Sequence, residues 1–194
     1  MTTVTIRPTA SDHDARQATT TVTLTDANIA LTSGNHWIGL YLPSVTVPQG
    51  VTVTATLNYM AAGTSTTSNM AWLVQDSMTP AVFTTTASDI SNRTTVAALS
   101  VTDAASGLST SAYRQVDIST LIQNRISDGS WASGNNIVLI GDATPSSNLS
   151  VRVYDNGDIN TYWFVTIDYA DGQPMVARAR LVPGMRRRHG HQGW

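Results

Sequence analysis

The residues Val51-Thr-Val-Thr-Ala-Thr-Leu-Asn-Tyr59 alternate apolar and polar without a break. In an extended chain successive side chains point to opposite faces. Val51, Val53, Ala55, Leu57 and Tyr59 therefore share one face, and Thr52, Thr54, Thr56 and Asn58 share the other. A helix cannot use this period, so the segment reads as a strand with one buried and one wet face. The same phase runs through Trp163-Phe-Val-Thr-Ile-Asp-Tyr169, where Trp163, Val165, Ile167 and Tyr169 fall together. Ile137-Val-Leu-Ile140 is a short continuous apolar run, as expected of a strand covered on both sides. Further strands are expected at residues 4–6, 21–25, 37–42, 70–75, 94–101, 113–116 and 150–154. Turn signals separate them at Pro48-Gln-Gly50, Ala62-Gly63, Ser133-Gly-Asn135 and Asp155-Asn-Gly157. This many short, turn-punctuated strands predict an all-β jelly-roll β-sandwich.

Composition points the same way. The chain has no Lys and no Glu, two strong helix formers, and Thr is its most abundant residue. One segment departs from period two. In Asp117-Ile-Ser-Thr-Leu-Ile-Gln-Asn-Arg-Ile126, Ile118, Leu121, Ile122 and Ile126 recur at helical spacing, with Asp117 placed to cap the first turn and Gly129 to stop the helix. One short helix over 118–126, lying across an open end of the sandwich, is the expectation.

With 194 residues the chain suits one domain plus an extension. We expect residues 1–171 to form the sandwich and residues 172–194 an extended basic arm. The first 171 residues hold six arginines and thirteen aspartates, the last 23 five arginines and no carboxylate, so formal charge divides into −7 and +5. Such an arm cannot build its own core, so it needs a partner surface to become ordered. Arg178, Arg180, Arg186, Arg187, Arg188 and Trp194 are its candidate partner-binding residues. Arginine makes bidentate pairs with carboxylates, and neighbouring acidic copies supply them. Without aromatic interleaving the arm offers nucleic acid only a nonspecific phosphate footprint, and the acidic body would repel a duplex.

Several classes are excluded or disfavoured by what the chain lacks. Without Cys there are no disulfides, thiolate metal sites or thiol nucleophiles. No run of 18 apolar residues offers a membrane span. The start, Met1-Thr-Thr-Val-Thr-Ile-Arg-Pro8, does not read as a secretory signal. No Gly-x-Ser-x-Gly elbow is present, and without Glu a glycosidase would need two of the aspartates, none of which form an evident pair. We therefore expect no catalytic, cofactor or metal site and no enzyme. Asp155-Asn-Gly-Asp158 reads as a hairpin turn, with calcium as the alternative. His189 and His191 read as part of a polar tail rather than as a chelate. Trp72 and Trp163 read as core from their phase, Trp131 as packing over the helix, and Trp37 as undecided, which leaves no named aromatic platform for sugar.

Several of these segments resemble, in order and spacing, DNRLRE-type jelly-roll modules. Val45-Thr-Val-Pro-Gln-Gly-Val-Thr-Val-Thr-Ala-Thr-Leu57 resembles their strand, Pro-x-Gly turn and long strand. Phe83-Thr-Thr-Thr-Ala-Ser-Asp-Ile-Ser-Asn-Arg93 looks like their mid-domain loop. Asp117 to Gln123, then Gly129-Ser-Trp-Ala-Ser-Gly-Asn-Asn-Ile-Val-Leu-Ile140, is similar to their helix, Gly-x-Trp, Gly-Asn and apolar strand. Tyr154-Asp-Asn-Gly157 with Trp163 to Tyr169 is similar to their closing hairpin. The resemblance spans roughly residues 42–169 and leaves the arm outside. It implies a non-enzymatic jelly roll of the kind found in bacterial secreted proteins and in the structural proteins of tailed phages. The expectation is a virion structural subunit on the outer surface of the particle, decorating the capsid or belonging to the tail or neck. Its partners would be other copies of itself or capsid and tail proteins, with no specific nucleic acid and no membrane. The alternative is a carbohydrate-binding or adhesion module, with a host-surface glycan as partner.

Overall fold

The computed structural model describes residues 1–32, 36–143 and 147–170. Arg178, Arg180, Arg186, Arg187, Arg188 and Trp194, with the rest of the expected arm, lie outside the described residues. The elements in chain order are β1 (Thr2–Ile6), β2 (Asp14–Ala18), β3 (Thr21–Thr23), β4 (Asn28–Thr32), β5 (His36–Leu42), β6 (Val53–Tyr59), β7 (Ala61–Val74), β8 (Val101–Ala105), β9 (Arg114–Asp117), α1 (Ser119–Ile126), β10 (Ile137–Asp142), β11 (Asn148–Arg152) and β12 (Phe164–Tyr169). They form a jelly-roll β-sandwich in which every strand pair is antiparallel. The smaller sheet has the order β1-β12-β6-β9, and the larger runs β3-β2-β5-β10-β7-β11-β4 with β8 added to β7. Among the described residues no helix is long and apolar enough to cross a membrane.

The main core fills the space between the sheets. Val53, Ala55, Leu57 and Tyr59 of β6 and Val165 and Ile167 of β12 pack there with Leu40, Leu42, Trp72, Val74, Leu139 and Leu149 of the larger sheet. The alternation read in residues 51–59 is thus the inward face of β6, in the phase expected. Register with β12 is in step, Leu57 opposite Val165 and Ala55 opposite Ile167.

The larger sheet is covered on its outer face as well. Residues 76–100 cross it, and Phe83 and Ile90 pack on Ala15, Tyr41, Val138 and Ile140 as a second cluster. This explains the unbroken run Ile137 to Ile140: Ile137 and Leu139 enter the main core, Val138 and Ile140 the outer cluster. Contact is so close that a Cβ at Gly39 would lie 2.3 Å from Cζ of Phe83. Polar side chains hold this strap. Arg93 donates to Gln75 Oε1 and to the carbonyls of Ala81, Val82 and Asp89, pairs with the Asp89 carboxylate, and stacks 4.3 Å over Phe83. Gln17 Oε1 accepts the backbone N–H groups of Ile90 and Ser91.

Several expectations need correction. The strand expected at 94–101 is part of the strap: Thr95 only bridges Gln75, and β8 starts at Val101. Ala62-Gly63 is no turn but lies inside β7, where Gly63 takes φ 63 and the β7–β11 register shifts. Asp155-Asn-Gly157 is not a hairpin either. β11 and β12 lie in different sheets with both edges occupied, so the short 3-10 turn at Tyr154–Asn156 carries the chain across the sandwich. The closing hairpin in the family resemblance falls with it. β2 and β4 went unread; in β2 polar residues mask the pattern, since Asp14 and Gln17 are buried by virtue of their hydrogen bonds.

Leu57 is fully buried and Thr56, on the opposite face, is partly exposed. Leu57→Asp should unfold or aggregate the domain, at a cost of several kcal/mol for an unpaired buried carboxylate. Thr56→Asp should shift stability by less than about 1 kcal/mol. Denaturant titration of both variants checks this, and equal effects would contradict the register.

Candidate functional site: a groove beside the helix

α1 closes one end of the sandwich. Its apolar side chains Leu121, Ile122 and Ile126, with Ile118 just before it, are buried in the main core. The helix begins at Ser119 with Ile118 as its N-cap and without a side-chain cap, so Asp117 is not the cap expected. From one residue further out the Asp117 carboxylate accepts the Ser119 hydroxyl at 2.5 Å and the Ser119 backbone N–H at 2.9 Å. These hydrogen bonds from Ser119 hold the Asp117 carboxyl below the usual carboxylate range. The backbone N–H of Ile118 donates to Ala55 and fixes the helix to β6.

The outward side of α1 carries Ser119, Thr120, Gln123, Asn124 and Ser127, none of them charged. With Val53 of β6 and Leu99 of the strap they line a groove of about 430 Å³. Part of this rim is committed to structure. Gln123 accepts the N–H of Val53 at 2.8 Å and donates to Val51 O and Ser127 Oγ. Ser119 Oγ accepts the N–H of Ala55, and Asn124 Oδ1 takes two N–H groups of Arg125. Arg125 itself is buried and reaches Asp76 at 2.9 Å. The Thr120 hydroxyl and Asn124 Nδ2 make no hydrogen bond among the described residues and remain for a ligand. Sequence reasoning missed this site, although its signal was present: apart from the buried Arg125, polar, uncharged residues fill the helix positions that the apolar stripe leaves.

The group nearest to a catalytic constellation lies elsewhere. Asp14 is buried and accepts the N–H of Tyr154 at 3.0 Å and Nε1–H of Trp163 at 3.2 Å. Burial pushes its carboxyl up to about 7, and the nearby Asp155 charge adds to this. His13 Nδ1 accepts the N–H of Thr9 at 3.2 Å, and burial lowers its pKa. Ser11 Oγ donates to Asp155 Oδ1, while Asp155 Oδ2 is buried without a partner. None of these side chains lines the groove beside α1. The Asp158 carboxylate is engaged separately, accepting the N–H of Asn160. Among the described residues no group of three or more His or Asp side chains gathers to hold a metal. Trp72 and Trp163 are core as read, Trp131 is buried with Nε1–H on Val47 O, and Trp37 packs half-buried against the outer cluster.

No family model and no curated protein matches the chain. Among solved structures it is similar to a family 35 carbohydrate binding module from Clostridium thermocellum, at 13% identity and a TM-score of 0.37, over 88% of this chain and 100% of that one.

Asp14 sets a pH dependence. Its folded pKa of about 7 lies above the unfolded value, so the folded state holds the extra proton between those two values. Stability is then greatest at the acid end of that window and falls as pH rises toward about 7, by up to a few kcal/mol. Asp14→Asn should flatten this decline. Urea midpoints of both proteins across that pH range test it.

Proposed function

We propose that the chain is a non-catalytic recognition module whose groove beside α1 takes a neutral carbohydrate. One observation carries this reading: an apolar floor of Val53 and Leu99 under a rim of hydroxyl and amide groups, with no charged side chain in the lining. Sugars present the complementary chemistry, since their C–H faces lie on apolar surface while their hydroxyls exchange hydrogen bonds with neutral polar groups. Thr120 and Asn124 Nδ2 are the groups free to do so. The non-catalytic part of the reading is supported by the lining of the groove, which contains no carboxylate and no histidine.

Titration of the isotopically labelled chain with a panel of neutral oligosaccharides should shift the amides of Leu99, Thr120, Asn124 and Ser127. Asn124→Asp keeps the oxygen that Arg125 uses and removes the donor; with Thr120→Val, which removes a second hydrogen bond, it should weaken binding by at least about tenfold. If no sugar in the panel moves these signals, the carbohydrate reading is wrong.

A second reading is favoured by the charge division between the first 171 residues, −7, and the last 23, +5. It makes the chain a structural subunit on the outer surface of a tailed-phage particle, anchored by its C-terminal arm through Arg178, Arg180, Arg186, Arg187, Arg188 and Trp194. Changing Arg186, Arg187 and Arg188 to Ser should weaken self-association or incorporation, most strongly at low salt where ion pairs are least screened. Sedimentation of both chains over a salt series gives the measurement, and indistinguishable profiles would remove this reading.

A further inference from the structure

β1 is a five-residue edge strand, bounded at its far end by Arg7 and Pro8. It pairs with β12 on one side only, and its sequence Thr-Thr-Val-Thr-Ile contains no charge, Pro or Gly. Four of the five residues of β1 are threonine or valine and the fifth is isoleucine, so the whole strand is β-branched. In an antiparallel edge strand alternate residues direct their N–H and C=O groups away from the partner, where they are available to a further strand. Beside this edge runs a cavity of about 600 Å³ lined by Val4, Ile6, Pro8, Pro43 and Ile159, with Thr5, Thr46 and Arg7, whose guanidinium donates to the Ile159 carbonyl, among its polar margins. Ile159 is 56% exposed and Met1 87%, and these are the exposed large hydrophobics among the described residues. Edge and apolar cavity together fit an extended segment with small apolar residues on one side.

The sequence contains such a segment. Residues 175–182, Met-Val-Ala-Arg-Ala-Arg-Leu-Val, place Met175, Ala177, Ala179 and Leu181 on one face of an extended chain and Val176, Arg178, Arg180 and Val182 on the other. It follows β12 after Asp171-Gly172, a hairpin signal. A hairpin return onto β12 is closed to it, because β1 and β6 occupy both edges of that strand. We infer that residues 175–182 of a second copy of the chain dock as an added strand on the free edge of β1, over the cavity that holds Val4 and Ile159. The apolar residues then face the cavity, and Arg178 and Arg180 lie on the side of Thr3 and Thr5.

A second copy fits better than the same chain. Tyr169 lies opposite Thr2, so the chain leaves β12 at the start of β1. Within one molecule the segment would have to pass around the end of β1 and run parallel to it, whereas a second copy can pair antiparallel, the slightly stronger arrangement. Charge acts in the same sense, since a segment carrying Arg178 and Arg180, within a +5 arm, meets a −7 sandwich on its neighbour.

The absence of Cys makes a clean cross-linking test, run on the full chain. One copy carries Thr5→Cys and the other Arg178→Cys, mixed at equal amounts and oxidised. A disulfide-linked heterodimer on a non-reducing gel is expected, with little from Thr20→Cys paired with Arg178→Cys. Ala177→Pro with Ala179→Pro removes two backbone donors without changing charge, and should lower self-association by at least about tenfold. Three results would overturn the inference: equal cross-linking at Thr5 and Thr20, a disulfide within one chain when both cysteines are placed together, or undiminished association of the proline variant. The sugar titration at the groove beside α1 is unaffected by these changes, so the two readings fail separately.

Discussion

Asp103 is a carboxylate with no access to water, and the two sheets meet around it. Its Oδ1 takes two N–H groups of Arg114, on β9 of the smaller sheet. Its Oδ2 accepts the Tyr59 hydroxyl, from the end of β6, and Ser68 Oγ, from β7 of the larger sheet. A buried charge is tolerated only when its lone pairs are satisfied, and removal of one partner leaves the remainder uncompensated. The chain passes from one sheet to the other between Tyr59 and Ala61, beside this knot. Burial, and then the Asp103 charge, raise the Tyr59 hydroxyl well above its ordinary pKa, which keeps it a donor. Packing alone would let two apolar faces slide; four directional bonds, from three strands to Asp103 on β8, fix their relative position. The α1 groove inherits its geometry from that frame, through Val53 at the start of β6 and α1 directly after β9.

The strap over residues 76–100 gives the larger sheet its second covered face. Phe83 fits only because residue 39 has no side chain, and Arg93 then closes over the ring. With this face filled, the central strands β5 and β10 have no surface left for a ligand. Recognition is displaced to the margins: the end closed by α1, to which the strap contributes Leu99, and the open edge at β1. Both sites are lined largely by hydroxyl, amide and aliphatic groups, as follows in a chain with no Lys and no Glu.

The sandwich was legible wherever one face of a strand is wet and the other dry. β6 and β12 show this in residues 51–59 and 163–169, and the apolar run at Ile137 correctly signalled burial on both sides. The helix was legible because its spacing differs from everything around it. What escaped notice depends on partners distant in sequence. Asp14 and Gln17 look like surface residues until Trp163, Tyr154 and the strap supply their hydrogen bonds. Asn-Gly reads as a hairpin because that is its commonest use, yet a hairpin also requires a free strand edge, which is a property of the sheet. The groove was hidden for a related reason: Leu99 joins it from a segment that itself looked like a strand. Of the residues singled out as partner-binding, all lie beyond the described part of the chain.

The order of strands in the smaller sheet bears on how the molecule comes into being. Its four members come from residues 2–6, 114–117, 53–59 and 164–169, and among the described residues the first strand pairs with the last. No two of them are neighbours in sequence. During synthesis β1 therefore waits, without a partner, until nearly the whole domain has emerged, while the larger sheet already gathers β2, β3 and β5. Topologies dominated by such distant pairings close slowly. In that interval the half-built sandwich exposes the inward faces of the larger sheet, and crowded nascent chains can exchange strands at that stage. The strand that seals the fold is also the one whose outer edge no other described strand covers.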